Sequence, residues 1–221
     1  MNKEQYPSKE VYYDLYKRFQ SRDPYELVNY YQSPLDQKSI LDVCAGNGRL
    51  SQSIVDKGHK SFIYLLDKEI TMLPEIENSG FAGIYSMDVY NFIEEYYKDE
   101  KFDVIFCQQA INYWLKHVDI EKFSKMFKQK GQFIFNTFNK KPGTFSSPTI
   151  KEYEIGNDKF LEISYIENKR VYHIQIMNNQ KPHLTSFDWL SDKKINKLLS
   201  PYFDIKKYVD GTTSIYNCFV R

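Results

Sequence analysis

The residues best placed to do chemistry gather around one turn. Ile40-Leu41-Asp42-Val43 is an apolar run holding a single acid, the pattern of a buried parallel strand. Cys44-Ala45-Gly46-Asn47-Gly48 follows, and Leu50, Ile54 and Val55 then recur at helical spacing. A strand, a glycine turn and a helix start make a cradle: backbone N–H groups point outward, and missing Cβ atoms let a ligand come close. Asp67 ends the apolar run Tyr64-Leu65-Leu66, 19 residues after Gly48, and Asp88 ends Ile84-Tyr85-Ser86-Met87. A fourth apolar run, 102–107, leads into the polar and aromatic segment Gln108-Gln109-Ala110-Ile111-Asn112-Tyr113-Trp114. Each acid alone could be an ordinary helix cap. Asp42 is placed to organise the turn by accepting backbone N–H groups rather than to touch a ligand.

The elements that must hold these residues alternate. Strands are expected at 40–44, 62–66, 82–86 and 102–107, with helices at 48–57, 70–77 and 90–97 between them. A helix over 119–129 carries Ile120, Phe123, Met126 and Phe127 inward and stops at Gly131, before a fifth strand at Phe133-Ile134-Phe135. Such alternation implies a doubly wound α/β sheet with right-handed crossovers, which binds ligands at the carboxyl ends of its strands. An amphipathic helix over 9–20, with Val11, Leu15 and Phe19 on one face, precedes a short helix after Pro24. Beyond residue 150 the period changes to two. Segments 159–166 and 170–177 form a hairpin through Glu167-Asn168-Lys169, and Tyr153-Glu154-Ile155 adds a third antiparallel strand. A helix over 188–200 ends at Pro201, and strands at 203–208 and 214–220 close the sheet.

Composition narrows the classes. At 221 residues the chain is expected to form one domain with a full core. A net charge of +1 offers no electrostatic footprint for nucleic acid, and Lys140-Lys141 and Lys193-Lys194 read as solvated surface. Cys44, Cys107 and Cys218 are odd in number and widely spaced, so neither a disulfide framework nor a zinc spacing emerges, which favours a reducing cytoplasm. No run of 18 apolar residues and no apolar signal core is present, and no membrane association is expected.

Taken together, the turn, the acids at 67 and 88 and the segment after the fourth strand resemble a class I S-adenosylmethionine-dependent methyltransferase. The likeness covers about residues 36–138. It implies a Rossmann-like doubly wound seven-stranded sheet with an antiparallel last strand, an antiparallel β insertion after strand five and an N-terminal helical lid. The expected layout is one domain over 1–221: lid 1–35, cofactor core 36–138, hairpin insertion 151–178, closing helix and strands 186–221. By this resemblance Cys44, Ala45 and Gly46 pass the amino-acid part of S-adenosylmethionine, the product being S-adenosylhomocysteine. Asp67 takes the ribose diol, Lys68 and Met72 flank the adenine, Asp88 and the Val89 backbone meet its edge, and Gln108 floors the methionine part. The family turn usually has Gly where Cys44 stands. If that position requires positive φ, Cys is strained there by ~1 kcal/mol or more.

Tyr13-Asp14-Leu15-Tyr16 followed by Pro24-Tyr25, the hairpin after strand five and His183-Leu184-Thr185-Ser186-Phe187 are similar to the sugar N,N-dimethyltransferases of antibiotic pathways. This implies cofactor contacts from Tyr16 and Tyr25. It also implies a small-molecule acceptor pocket lined by Gln109, Asn112, Tyr113, Trp114, Asn136, Asn139, His183 and Phe187, with His183 and Tyr113 as catalytic candidates. Core packing competes for Trp114 and Phe187. The donor methyl is already activated, so the protein mainly positions the acceptor. An amine needs only to be neutral, whereas a hydroxyl usually needs a base or metal. With no metal cluster in the sequence, N-methylation leads and O-methylation through His183 is the alternative. No Asn/Asp-Pro-Pro-Tyr/Phe tetrad follows strand four, which argues against methylation of nucleic-acid bases. Two rivals remain: a dinucleotide oxidoreductase, whose usual third Gly or Ala falls at Ser51, and a non-catalytic binding protein of the same fold. The acceptor and the oligomeric state stay open, a homodimer being one option.

Overall fold

The structure, a computed structural model, describes residues 23–69, 80–139, 141, 143–155, 158–178, 182–211 and 213–221. The helices expected over 9–20 and 70–77 lie outside the described residues, as do residues 1–22 of the expected 1–35 lid. The chain divides into two compact units, one comprising Arg22–Asn139 with Ser191–Arg221 and the other built on Lys140–Leu190.

The larger unit is a seven-stranded sheet. β1 (Ser39–Val43), β2 (Phe62–Asp67), β3 (Gly83–Ser86), β4 (Phe102–Cys107) and β5 (Phe127–Phe138) are followed, after the smaller unit, by β11 (Phe203–Asp210) and β12 (Thr213–Val220). Their order is β3-β2-β1-β4-β5-β12-β11, parallel from β3 to β5 and antiparallel at β5–β12 and β12–β11. This is the expected Rossmann-like sheet with its antiparallel last strands.

Because side chains alternate along a strand, the register assigns each a face. Ile40, Ile63, Leu65, Val104, Phe106, Ile134 and Ile215 share one face and pack with Leu50 and Ile54 of the helix Arg49–Asp56 and with Leu27 and Val28 of the short 3-10 helix Pro24–Tyr30. The opposite face is aromatic. Phe133 lies 4.9 Å from Phe123 and 4.8 Å from Phe135, which stacks on Tyr216 at 4.8 Å, centroid to centroid. Such pairs add about 0.5–1.5 kcal/mol each to the area they bury.

Two helices are shorter than their apolar spacing predicts. The helix expected over 119–129 runs only Ile120–Ser124, capped by Asp119, which accepts from the Glu121 and Lys122 amides. Phe102 N then donates to Met126 O at 2.9 Å, and Phe127 pairs with Phe102, so sheet pairing takes over the turns that the spacing gave to a helix. Gly131 is consequently no helix stop. It sits in a β5 bulge beside Lys130 (φ 64°), where a Cβ would fall 2.8 Å from that of Phe127. The helix expected over 188–200 spans Asp192–Leu199, because the preceding strand runs through Asp188 and Ser191 caps the helix on Lys194 N.

The smaller unit is a five-stranded sheet of β6 (Gly143–Thr144), β7 (Thr149–Ile155), β8 (Asp158–Glu167), β9 (Arg170–Met177) and β10 (His183–Asp188). β8 pairs antiparallel with β7 and β9, and β9 with β10. Asn168 (φ 49°) and Lys169 (φ 69°) make a two-residue turn between β8 and β9, both left-handed as a twist-matched hairpin requires. The expected hairpin and third strand are therefore present, extended by β6 and β10. Among the described residues no helix is long and apolar enough to cross a membrane.

Candidate functional site

At the carboxyl end of β1 the chain turns through three left-handed residues at every second position, Cys44 (φ 56°), Gly46 (φ 57°) and Gly48 (φ 73°). Cys44 thus carries the strained conformation that the family usually gives to glycine. Burial, with the nearby Cys107 and the acids Asp67, Asp42 and Asp88, pushes its thiol well above its ordinary pKa, so it stays protonated. Gly48 N closes the turn on Ala45 O at 2.9 Å, and Ala45 N holds Leu66 O at 3.1 Å, locking the turn to β2.

Asp42 secures the helix that follows. Gly48 is the N-cap and has no side chain to cap with, so the buried Asp42 carboxylate serves from within β1, accepting Ser51 Oγ at 2.8 Å. Burial pushes Asp42 up to about 7 despite this bond. The Asp42–Ser51 pair also explains why the position of a dinucleotide fingerprint's third small residue holds a fully buried serine.

At the end of the neighbouring β2, Asp67 Oδ2 accepts Gly46 N at 2.8 Å and Oδ1 accepts Glu69 N at 2.9 Å. Lys68 is exposed. Gly46 faces open space, with nothing within 4 Å of where a Cβ would be. Beside it Asn47, 8 % exposed, holds an Nδ2 with no hydrogen-bond partner among the described residues. A buried unpaired donor costs roughly 1–3 kcal/mol. The sequence marks Asn47 only by its place between two glycines. Asp88 is exposed and caps the helix Val89–Tyr96, Oδ1 accepting Tyr90 N at 2.8 Å, with Val89 buried behind it.

Further expected site residues follow β4 and β5. Gln108 is half-buried, and Gln109 (φ 60°) is exposed, its N–H donating to Asn136 Oδ1 at 2.6 Å. Asn112 Nδ2 donates to Thr137 Oγ1 at 2.9 Å. Ser214, paired with Thr137 across β5–β12, is fully buried, and its Oγ has no hydrogen-bond partner among the described residues. Tyr113 is 46 % exposed. Asn139 Nδ2 is committed to Gly211 O at 2.9 Å.

Two expected positions fall elsewhere. Trp114 is 5 % exposed and belongs to the aromatic core, 5.4 Å from Phe123, its indole N–H on Cys107 Sγ at 3.4 Å. The Tyr25 hydroxyl is bonded to His59 Nε2 at 2.8 Å, and its ring lies under Lys57 Nζ at 4.4 Å. His59 precedes β2, at the end of that strand opposite Asp67, so Tyr25 is anchored away from the turn. Tyr16 and Met72 lie outside the described residues. His183 opens β10 opposite Gln175, its side chain outside the described part, and Phe187 pairs with Val171; both belong to the five-stranded unit.

A twisted parallel sheet with an antiparallel closing pair, gripped at its carboxyl edge by a glycine turn and an acid on the neighbouring strand, defines a class of transferase fold. The methyltransferase-domain family matches residues 35–197, and the chain belongs to that family. No curated protein matches it in sequence. Among solved structures it is similar to an S-adenosylmethionine-dependent methyltransferase from Clostridium acetobutylicum, at 18 % identity and TM-score 0.65, covering 96 % of this chain and 97 % of that one. It is similar also to an amino pentose methyltransferase from Micromonospora echinaspora involved in calicheamicin biosynthesis, solved with S-adenosylmethionine bound (11 % identity, TM-score 0.69, 100 % of each chain). A sugar N-methyltransferase from a Streptoalloteichus species matches at 10 % identity and TM-score 0.64, over 100 % of this chain and 96 % of that one. Identities this low speak for the fold.

Proposed function

We propose that this enzyme moves a methyl group from S-adenosylmethionine to a small-molecule acceptor, with an amine nitrogen as the favoured target. The observation that carries the reading is the Asp67 carboxylate joined to Gly46 N across an open turn. A carboxylate accepts about four hydrogen bonds, so Asp67 can hold the turn and a ribose diol together. The residues fit the donor in two further ways. Gly46 leaves room for a close approach, and the unpaired Asn47 Nδ2 supplies a donor for an anionic group such as the amino-acid carboxylate.

When bound, S-adenosylmethionine supplies an already activated methyl group. The work left to the chain is to bind and orient. In this reading Cys44, Ala45 and Gly46 line the amino-acid part, Asp67 and Lys68 the nucleoside, Asp88 and the Val89 backbone the adenine edge, and Gln108 the floor. Gln109, Tyr113 and Asn136 present hydrogen-bonding groups to the acceptor, with Asn136 held in place by the Gln109 amide. An amine held there needs only to be neutral, which positioning alone can exploit. The names of the amino pentose and sugar N-methyltransferases sharing the fold support the same choice.

Titration calorimetry with S-adenosylmethionine and S-adenosylhomocysteine, followed by an assay of S-adenosylhomocysteine release on matched amine and hydroxyl panels, tests this. Saturable binding with turnover of amines is expected. Turnover of hydroxyls alone would move the assignment to O-methylation through His183, and binding without turnover would leave a non-catalytic relative. Binding of a nicotinamide dinucleotide in place of the adenosyl compounds would overturn the reading.

A further inference from the structure

One face of the five-stranded sheet is apolar and lies opposite the face that holds this sheet's buried side chains. Directly opposed residues of antiparallel strands share a face, so the register builds rows across the sheet. Ile150 of β7, Ile163 of β8, Ile174 of β9 and Leu184 of β10 make one such row. Leu161 and Ile176 lie on one side of it, and Tyr165 and Tyr172, stacked at 5.1 Å, on the other. Ile166 and Val171, which are buried, stand one residue further along and therefore belong to the opposite face.

The apolar face is left open at its margins. Ile150 is 56 % and Leu184 49 % exposed at the two ends of the row, and Phe145, edge-on to the Tyr165 ring, is 67 % exposed. An antiparallel sheet ordinarily gives its uncovered face polar residues. A contiguous apolar patch left in water marks an interaction surface.

The symmetry of this face says what fits it. Consider a second copy laid face to face, with a two-fold axis running between β8 and β9 along the strands. Ile150 then meets Leu184 of the second copy, Ile163 meets its Ile174, and the Leu161 and Tyr165 rows likewise meet apolar or aromatic rows. At the turn end, the exposed Glu167 and Arg170 stand opposite each other across β8–β9. The same axis lays Glu167 over Arg170 of the second copy and Arg170 over its Glu167, so the four charges alternate instead of repelling.

We propose that this face is the interface of a two-fold homodimer, each copy's small sheet covering the other's. The inference stands on the register and exposure of the small sheet and needs no assumption about the donor site.

Sedimentation velocity of the full chain over a concentration series tests it. A reversible dimer is expected, with self-association at least about tenfold weaker in Ile150→Glu and in Leu184→Glu, each of which forces a carboxylate against an apolar partner twice per dimer. Both positions are half exposed, so the Tm of the monomer should be retained. Ile150→Glu combined with Leu184→Lys should regain part of the lost association. Within one copy those positions are three strands apart, so only contact between copies can produce that rescue. Glu167→Arg should likewise weaken the dimer, and Glu167→Arg with Arg170→Glu should restore it; this pair carries the comparison if the Ile150 variant does not fold. A wild type that is monomeric at every concentration, or a dimer indifferent to all these changes, overturns the proposal. A monomer that Ile150→Glu destabilises would show the face covered within its own chain, which overturns it equally.

Discussion

The two sheets solve different problems with the same strands. Both faces of the seven-stranded sheet are covered, one by aliphatic side chains around Ile40 and Leu65, the other by the aromatic ladder from Trp114 to Tyr216. The five-stranded sheet has a thin interior, with Ile166 and Val171 buried while Ile150 and Leu184 stand about half exposed. Turn 44–48 can hold three left-handed residues because the thick core behind it over-determines the backbone. The thinner sheet instead spends its polar groups on each other. A thick core can hold a strained turn in place, whereas a thin sheet settles its polar groups against one another.

The contrast breaks if the two cores cost the same to damage. Trp114→Ala removes a fully packed indole and should destabilise the protein by about 3–5 kcal/mol, whereas Tyr172→Ala, half-buried and stacked on Tyr165 at 5.1 Å, should cost clearly less in the same urea titration. Equal losses would place Trp114 outside the core and return it to the acceptor site.

Gly46→Val sharpens the turn's part in it. A Cβ there would meet nothing within 4 Å, so the main stability loss should be left-handed strain of roughly 1–2 kcal/mol. Donor binding measured by calorimetry should nevertheless disappear; binding that persists would mean the open space beside Gly46 is not the donor's.

Smaller effects follow behind the turn. Cys44→Gly should raise stability by about 1 kcal/mol by relieving φ 56°, minus the contacts of the lost thiol. An unchanged or lower midpoint would show that thiol packing outweighs strain. Asp42 has its folded pKa raised from 3.8 to about 7, so the native state binds the extra proton. Its contribution to stability is present below 3.8 and is lost as pH rises through about 7. Asp42→Asn keeps an acceptor for Ser51 and should flatten Tm against pH across that window. A slope identical to wild type would assign the pH dependence to other groups.

Legibility in the sequence tracked this same contrast. β4 was readable to the residue because Val104 to Cys107 is an unbroken apolar run buried on both faces, a simple pattern. Asp67 and Asp88 were readable as strand-end acids, and the structure sets both at the carboxyl edge. The helix over 119–129 failed because Met126 and Phe127 satisfy a helical stripe and a buried strand equally, and pairing with Phe102 decided between them. Trp114 could not be sorted from Tyr113, since adjacent aromatics after a strand share composition and differ only in which way each faces. Tyr25 was misplaced because its bond to His59 spans 34 residues and leaves no local trace. Which residues of β8 and β9 stand opposite one another depends on register, which the two-residue turn at Asn168-Lys169 sets.

The most direct measurement is calorimetric titration of S-adenosylhomocysteine into the wild-type protein and Asp67→Ala, with circular dichroism to verify folding. The account predicts saturable one-site binding to the wild type and a loss of ~1–3 kcal/mol in the folded variant. Equal affinity in the two proteins, or no binding to either, would contradict it.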